Sequence, residues 1–199
     1  YSNNLFWNYF EHNQRLWRDE LLGTVKLNAE ITPWLNAFIR TSVDLISSKF
    51  ETKYTTEKPD KVSDGRFDKA INKDKVLNTD IMVTAHKNDL FAKGFNASIS
   101  GMFNSYSYNA SGVKGENWSK FIVPGVYSLS NYTDITRTKS SETRYVVQSQ
   151  SLLGMLNLSY KNYLFLDLTG RNDINSTLPI EANSTFYPSA SAAFVFTEA

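Results

Sequence analysis

The residue types that carry most enzyme chemistry are sparse in this sequence. The chain has no cysteine, which excludes a thiolate nucleophile, a disulfide framework and cysteine-ligated zinc or iron–sulfur sites. Its two histidines, His12 and His86, are far apart in the sequence, and neither belongs to a Ser/His/Asp pattern. Arg171, Asn172 and Asp173 could form an acidic/basic site, but we expect Asn172 and Asp173 to hydrogen-bond the turn backbone where the strand ends. The sequence therefore predicts a protein that is not an enzyme and that uses no metal or other cofactor.

Composition narrows the class of protein further. The 199 residues include 21 Lys and Arg against 20 Asp and Glu, a net charge of +1 without a basic block, which argues against nucleic-acid binding. Aromatic residues reach 14%, while glycine and proline number nine and five, a balance that favours β structure. The apolar runs are far shorter than the ~18 residues of a membrane-spanning helix, but barrel strands need only about ten alternating residues.

Seven segments alternate between apolar and polar residues with a period of two. Between Leu21 and Ile31, for example, the odd positions are apolar or small and the even positions are almost all polar. This pattern is typical of a strand with one buried or lipid-facing side rather than of a helix. We therefore predict an all-β protein of about seven strands.

The connections between the predicted strands alternate in length. Short turns are predicted near 32–34, 87–94 and 161–162, and long loops at about 47–75, 105–141 and 172–186. Outer-membrane barrels show this asymmetry, with short periplasmic turns and long extracellular loops. Aromatic residues, which suit a membrane interface, gather near the short turns. A soluble β-sandwich would alternate just as clearly, so the pattern alone leaves both architectures open.

Two stretches near the C-terminus carry a more specific signal. The sequence LTGRNDINSTLP (Leu168–Pro179) followed by FYPSASAAFVFTE (Phe186–Glu198) resembles the SusC-like branch of TonB-dependent outer-membrane transporters of Bacteroidetes. Leu5–Leu35 is similar to an earlier hairpin of that family, and Phe121–Asn131 to one of its loop segments. One departure is Ile174, where the family often has an aromatic residue.

The resemblance implies an antiparallel up-and-down transmembrane β-barrel of about 22 strands in the bacterial outer membrane. Residues 1–199 would form a partial barrel domain, an arc of about seven strands. The plug domain and the TonB-contacting segment would lie outside this chain, and the first residue is not an initiator Met. The family also implies uptake of glycans or peptides with a SusD-like surface lipoprotein, driven through TonB, and no nucleic-acid partner.

This interpretation assigns residues to the lipid-facing and lumen-facing sides of the strands and contact candidates to the middle loop. The lipid-facing residues would be Val25, Leu27, Ile39, Val83, Ile99, Leu156, Leu166 and Phe194. The lumen-facing residues would be Lys26, Glu30, Arg40, Asp44, Asp80, Arg144 and Asp167, which either tie down the plug or contact substrate. The middle loop offers Tyr106, Tyr108, Trp118, Tyr127 and Tyr132, which either contact a ligand or partner or pack the loop.

Two functions from different classes therefore remain. The first is the wall of a nutrient importer that takes up oligosaccharides or peptides. The alternative is a secreted or surface β-sandwich that binds carbohydrate as an isolated module. Solubility separates them, because the apolar face of a barrel wall requires lipid or detergent.

Overall fold

The computed structural model describes residues 6, 9–10, 12–54, 57–58, 61–62, 65–161 and 163–197, and these residues are mostly β-strand. The nine strands within the described residues are β1 (Asn13–Thr32), β2 (Leu35–Tyr54), β3 (Glu57–Lys58), β4 (Lys61–Val62), β5 (Arg66–Lys87), β6 (Phe95–Asn117), β7 (Lys139–Tyr160), β8 (Leu164–Asn175) and β9 (Ser184–Phe194). Two short 3-10 turns, Ile135–Arg137 and Ile180–Ala182, lie in the connections that follow β6 and β8.

Seven of the strands form one open antiparallel sheet in the order β1-β2-β5-β6-β7-β8-β9. Neighbours in this sheet follow one another along the chain, and the two-residue strands β3 and β4 pair separately between β2 and β5. The predicted all-β class and the up-and-down arrangement of seven strands are confirmed, and an open sheet of this kind is consistent with an arc of a β-barrel. Within the described residues, no helix is long and apolar enough to cross a membrane.

Short turns join β1 to β2, β5 to β6 and β7 to β8. The first turn lies between Thr32 and Leu35. In the second, Gly94 has a φ of +86°, which suits glycine, and its N–H donates to Asp89 Oδ1 at 2.6 Å. In the third, the Tyr163 N–H donates to the Tyr160 carbonyl at 3.2 Å; residue 162, part of the predicted turn, lies outside the described residues.

The strands extend further than the sequence predicts, at the end where the long connections lie. Strand structure continues through 47–54, 66–75 and 105–117, all of which were predicted to be loop, and it includes 13–20 before the predicted first strand. These extensions carry polar residues on both faces, so they lack the apolar alternation on which the prediction depended. Ladder hydrogen bonds between backbones do not require that alternation. Residues 55–56, 59–60 and 63–64 of the first predicted loop lie outside the described residues.

Side-chain contacts between neighbouring strands determine which positions share a face. The hydroxyls of Thr24 and Ser42 lie 2.9 Å apart, which places the even positions of β1 and β2 together. The Thr84 and Ser100 hydroxyls, 2.8 Å apart, do the same for β5 and β6. The pairing of β7, β8 and β9 extends the rows to the last strands, with Leu158 opposite Leu166 and Leu166 opposite Ala192. The apolar positions therefore align across the sheet.

The described chain divides into two compact units. The loop-bearing unit consists of Tyr1–Leu21, Leu45–Lys75 and Asn109–Tyr145. The wall unit consists of Leu22–Asp44, Val76–Tyr108 and Val146–Ala199. Strands β1, β2, β5, β6 and β7 contribute residues to both units, whereas β8 and β9 belong to the wall unit.

Candidate functional site

The loop-bearing unit has a small aromatic core. Phe67 at the start of β5 is buried with Phe121 and Tyr132, which lie in the connection between β6 and β7. The rings of Phe121 and Tyr132 have centroids 4.8 Å apart, and the Tyr127 ring meets Phe121 edge-on at 5.4 Å. Contacts of this kind add stability beyond the burial of area. The connection is therefore a packed structure rather than a loose loop.

Two asparagines fix the backbone of this connection. Asn117, which is fully buried, donates from Nδ2 to the Thr138 hydroxyl at 2.6 Å, and its Oδ1 accepts the Ser119 N–H at 2.9 Å. Asn131 donates from Nδ2 to the carbonyls of Val123 and Val126 at 2.8 and 2.6 Å. Buried polar groups need such partners, because an unmade bond leaves the full cost of desolvation. These hydrogen bonds tie the connection of residues 118–138 to the end of β6 and to itself.

At the start of this connection, the Trp118 ring packs against the guanidinium of Arg66. The Arg66 guanidinium lies over its ring at 4.1 Å from the centroid, within the range of a cation–π contact. Arg66 Nε donates to both carboxylate oxygens of Asp68, at 2.9 and 2.7 Å. The Trp118 side chain is nevertheless 53% exposed. The arrangement holds an aromatic surface in place and leaves much of it open to a ligand or partner.

The charged residues around Arg66 form ion pairs. Lys114 Nζ lies 2.8 Å from a Glu116 carboxylate oxygen, and Arg66 approaches the same carboxylate at 3.9 Å. The hydrogen bond from Lys114 lowers the pKa of Glu116, and the hydrogen bond to Asp68 raises the pKa of Arg66. Both shifts favour the charged forms of Glu116 and Arg66, and the Arg66 guanidinium is the group that contacts the Trp118 ring.

The structure separates the five aromatic residues that the sequence grouped as contact candidates. Tyr132 is buried, and Tyr127 packs against the aromatic core, so both serve the packing of the connection. Tyr106 and Tyr108 lie within β6 and belong to the wall unit, which corrects their prediction as loop residues. Trp118 combines exposure with a fixed orientation. Whether any of the five touches a ligand stays a prediction.

A charged network lies on the polar face of the wall unit. Asp80, which is 3% exposed, accepts hydrogen bonds from Arg40 Nε at 2.9 Å and from Arg40 Nη2. Its other oxygen accepts from Asn104 Nδ2 at 2.6 Å, and Asn104 also donates to Asn78 Oδ1 at 2.8 Å. The buried carboxylate is thus fully paired, as a charge away from water must be. The Arg40 side chain is about half exposed and remains accessible.

Four of the remaining predicted lumen-facing residues lie at polar positions of the wall unit, whereas Arg144 shares the even positions of β7 with the predicted lipid-facing Leu156. Lys26 Nζ lies over the Phe38 ring at 4.4 Å, and Glu30 lines a cleft of about 420 Å³. Asp167 accepts a hydrogen bond from Asn157 Nδ2 at 2.6 Å. Asp44 has a buried carboxylate oxygen that lacks a hydrogen-bond partner among the described residues. Arg144 is exposed in the loop-bearing unit, so the structure does not bring it together with the others in one unit.

The eight predicted lipid-facing residues all lie in the wall unit. Six of them are exposed although they are large and apolar: Val25, Leu27, Ile39, Val83, Ile99 and Phe194. Leu156 and Leu166 are half-buried among their neighbours. Leu156 pairs with Leu168, and Leu168 with Ala190, so one apolar row crosses three strands. This face has no cover within the described residues of the wall unit.

Sequence reasoning missed Asn117, Asn131 and Arg66. Asparagine is frequent in this chain, so no single asparagine stands out before the fold is known. Arg66 and Asp68 lie in a segment that was predicted to be a solvated loop, whereas they are in β5. Their two-residue spacing, which places both on one side of a strand, is the signal that could have found the pair.

Comparison with solved structures identifies the same fold in a transporter. A structure of the RagAB peptide transporter superposes with a TM-score of 0.79 at 14% sequence identity, covering 91% of this chain and 20% of that chain. Structures of the RagAB peptide importer in its "closed-closed" and "open-open" states give TM-scores of 0.75 and 0.71, with the same identity and coverage. At this identity the likeness establishes the fold.

The chain spans about a fifth of the length of the transporter chains it resembles. No family model matches the sequence, and no curated protein matches it. The class that the fold defines is therefore an open, all-β antiparallel sheet like a portion of the RagAB transporter structure.

Proposed function

We propose that this chain is part of the barrel wall of a SusC-like, TonB-dependent nutrient importer in a bacterial outer membrane. The observation that carries the proposal is the inverted polarity of the wall unit. Its buried residues, within the described part, are Asp80, Ser100 and Ser151, whereas large apolar residues such as Leu27 and Ile99 are exposed. Such a sheet suits lipid on one side and water on the other. The likeness to the RagAB structures supports the same interpretation.

The barrel interpretation assigns roles to both faces. The eight apolar residues named above would face lipid, and the charged network of Arg40 and Asp80 would face the lumen. There the half-exposed Arg40 guanidinium offers an attachment point for a carboxylate of the plug or of a substrate. Energy would come through TonB, which would contact a part of the protein outside this chain.

A peptide is the favoured cargo in this proposal, with an oligosaccharide as the second possibility. The fold is similar to structures described as a peptide transporter and a peptide importer. A SusD-like surface lipoprotein would bind the long connections and close over the substrate. Trp118 is the residue best placed for that contact, because it is exposed and held by Arg66.

The competing β-sandwich module requires a second sheet that packs on the apolar face. The described strands form one seven-stranded sheet and one two-residue pair, so no second layer is present among them. The observation therefore favours the importer over the isolated carbohydrate-binding module.

Membrane fractionation of the full-length protein tests the proposal. We expect the protein in the outer membrane, extractable only with detergent, in a form that migrates differently before and after heating. Deletion of the gene should abolish growth on the cognate peptide or oligosaccharide. A soluble, monomeric protein that purifies without detergent would contradict the importer and favour the sandwich.

The role of Trp118 needs a separate experiment with a matched control. Trp118→Ala should impair uptake or reduce copurification of the lipoprotein, at unchanged abundance in the outer membrane. Ser130→Ala, at an exposed position of the same connection, is the control and should leave uptake unchanged. Normal uptake and normal complex formation in Trp118→Ala would show that this residue serves only the structure of the connection.

A further inference from the structure

An apolar groove crosses the wall unit near the short turns. It encloses about 460 Å³, and its lining is almost entirely apolar. The residues that line it come from β5, β6, β7 and two of the turns, and they include Trp34, Ala85, Phe95, Ala97, Ile99 and Leu156. All of them belong to the wall unit. The groove is therefore a feature of one compact unit.

Small residues create the groove. Ala85 and Ala97 leave a depression between bulky neighbours such as Trp34 and Phe95. Gly101 and Gly154 are the next positions on this face beyond Ile99 and Leu156, and a Cβ at either glycine would meet nothing within 4 Å. Open space therefore continues along the strands, past the lined part of the groove. An elongated apolar ligand fits this shape better than a compact one.

Three lysine side chains lie near the end of the groove at the turns. Lys87 lines the groove itself, and Lys93 is exposed in the same turn. The Lys161 ammonium lies 5.2 Å from the ring of Tyr160, a residue on the apolar face opposite Leu164. Asp89 is the carboxylate of these turns within the described residues, and its Oδ1 is held by the Gly94 N–H at 2.6 Å. These three lysines and one aspartate form the rim of the groove at the turns, and their charges sum to a net positive charge.

We propose that the groove binds one glycerophospholipid of the leaflet next to the short turns, an assignment that rests on the proposed membrane location. One acyl chain lies along Ala97 and Ile99, and the phosphate lies between the Lys87 and Lys161 ammonium groups. Apolar burial holds the chain, and the lysines hold the anionic headgroup.

A second copy of the protein fits this surface less well. Symmetric pairing through the groove would bring the lysines of one copy against the lysines of the other, and like charges repel. A phospholipid instead satisfies the apolar lining and the positive rim together. The charge of the rim therefore decides between the two occupants.

Native mass spectrometry of the full-length protein tests the site. The protein is reconstituted in nanodiscs of phosphatidylethanolamine and phosphatidylglycerol and then released into detergent. We expect one phospholipid to remain on the wild-type protein. Ala97→Trp fills the groove and should remove it, whereas Ala192→Trp, on the same face of β9, should retain it.

Lys161→Gln provides a second variant on an exposed residue. It should weaken phospholipid retention about fivefold, the effect of one lysine near an anionic headgroup. Equal retention by the wild type, Ala97→Trp and Lys161→Gln would overturn the site, as would a stable dimer formed through the groove. If the wild-type protein inserts and transports normally but retains no lipid, the lipid site is overturned and the proposed function is not. A protein that never reaches the outer membrane overturns the proposed function as well.

Discussion

The two units of this chain differ in whether they bury large aromatic residues: both bury polar side chains, but among the described residues only the loop-bearing unit also buries aromatic ones. In the loop-bearing unit, Phe67, Phe121 and Tyr132 are each no more than 5% exposed, and their burial resembles that of an ordinary core. In the wall unit, the buried residues within the described part are polar, and the large apolar residues Val25 and Leu27 are each 65% exposed. The wall unit lacks such an aromatic core among its described residues and exposes a row of large apolar side chains, which would be costly in water.

The largest expected effect comes from a charge on the apolar face of the wall unit. Val83→Arg should destabilise the inserted protein by about 2–4 kcal/mol, because Val83 lies four residues, roughly 13 Å, from the end of β5 and so near mid-depth. The measurement is the midpoint of urea unfolding in lipid, together with abundance in the outer membrane. Met82→Arg is the matched control, since Met82 lines the polar cleft with Glu30. Equal tolerance of both substitutions would contradict the assignment of the faces.

The next effect concerns the charged network of the wall unit. Arg40→Met should destabilise the protein by about 2 kcal/mol, since it leaves the buried Asp80 carboxylate with Asn104 alone. Asp80→Asn should cost less, because the half-exposed Arg40 can turn to water. Unfolding midpoints of the two variants measure this asymmetry. A larger loss in Asp80→Asn would show that Arg40, rather than Asp80, is the costly group to leave unpaired.

A smaller effect is expected in the loop-bearing unit, confined to the connection after β6. Asn117→Ala removes four hydrogen bonds of a fully buried side chain and should cost about 1–3 kcal/mol locally. Hydrogen exchange should rise in 118–138 and stay unchanged in β8 and β9. Ser130→Ala, at an exposed position of the same connection, serves as the control. If hydrogen exchange in 118–138 is the same in Asn117→Ala, Ser130→Ala and the wild type, Asn117 does not fix the connection.

The smallest effect appears only at alkaline pH. Burial raises the pKa of the Tyr132 phenol from 10 to about 12, and its hydroxyl lacks a well-formed hydrogen bond. A raised pKa of this phenol means that its stabilising contribution is complete below pH 10 and is lost as the pH rises towards 12. Protection of 118–138 should therefore fall over that range. Tyr132→Phe should remove this pH dependence without a loss at neutral pH, and a persisting dependence would assign it to another group.

Most of the wall unit could be predicted from the sequence because its signal is local. Alternation from Leu21 to Ile31 and from Phe95 to Phe103 depends only on neighbouring residues, and the short turns follow from the breaks between such runs. The confirmed strand order follows from the same breaks, since short connections join antiparallel neighbours. The lipid and lumen roles of the faces stay predictions.

The sequence by itself determined the all-β class, the seven alternating strands and their two faces. The reason is that the alternation of apolar and polar side chains along a strand depends only on consecutive residues. The tertiary structure alone decided the rest. It showed that Tyr127 and Tyr132 pack with Phe67, that Arg66 supports Trp118, and that polar strands continue through 105–117. These features depend on residues about 50 or more positions apart or on backbone pairing. Neither leaves a periodic pattern in the sequence, so only the folded chain reveals them.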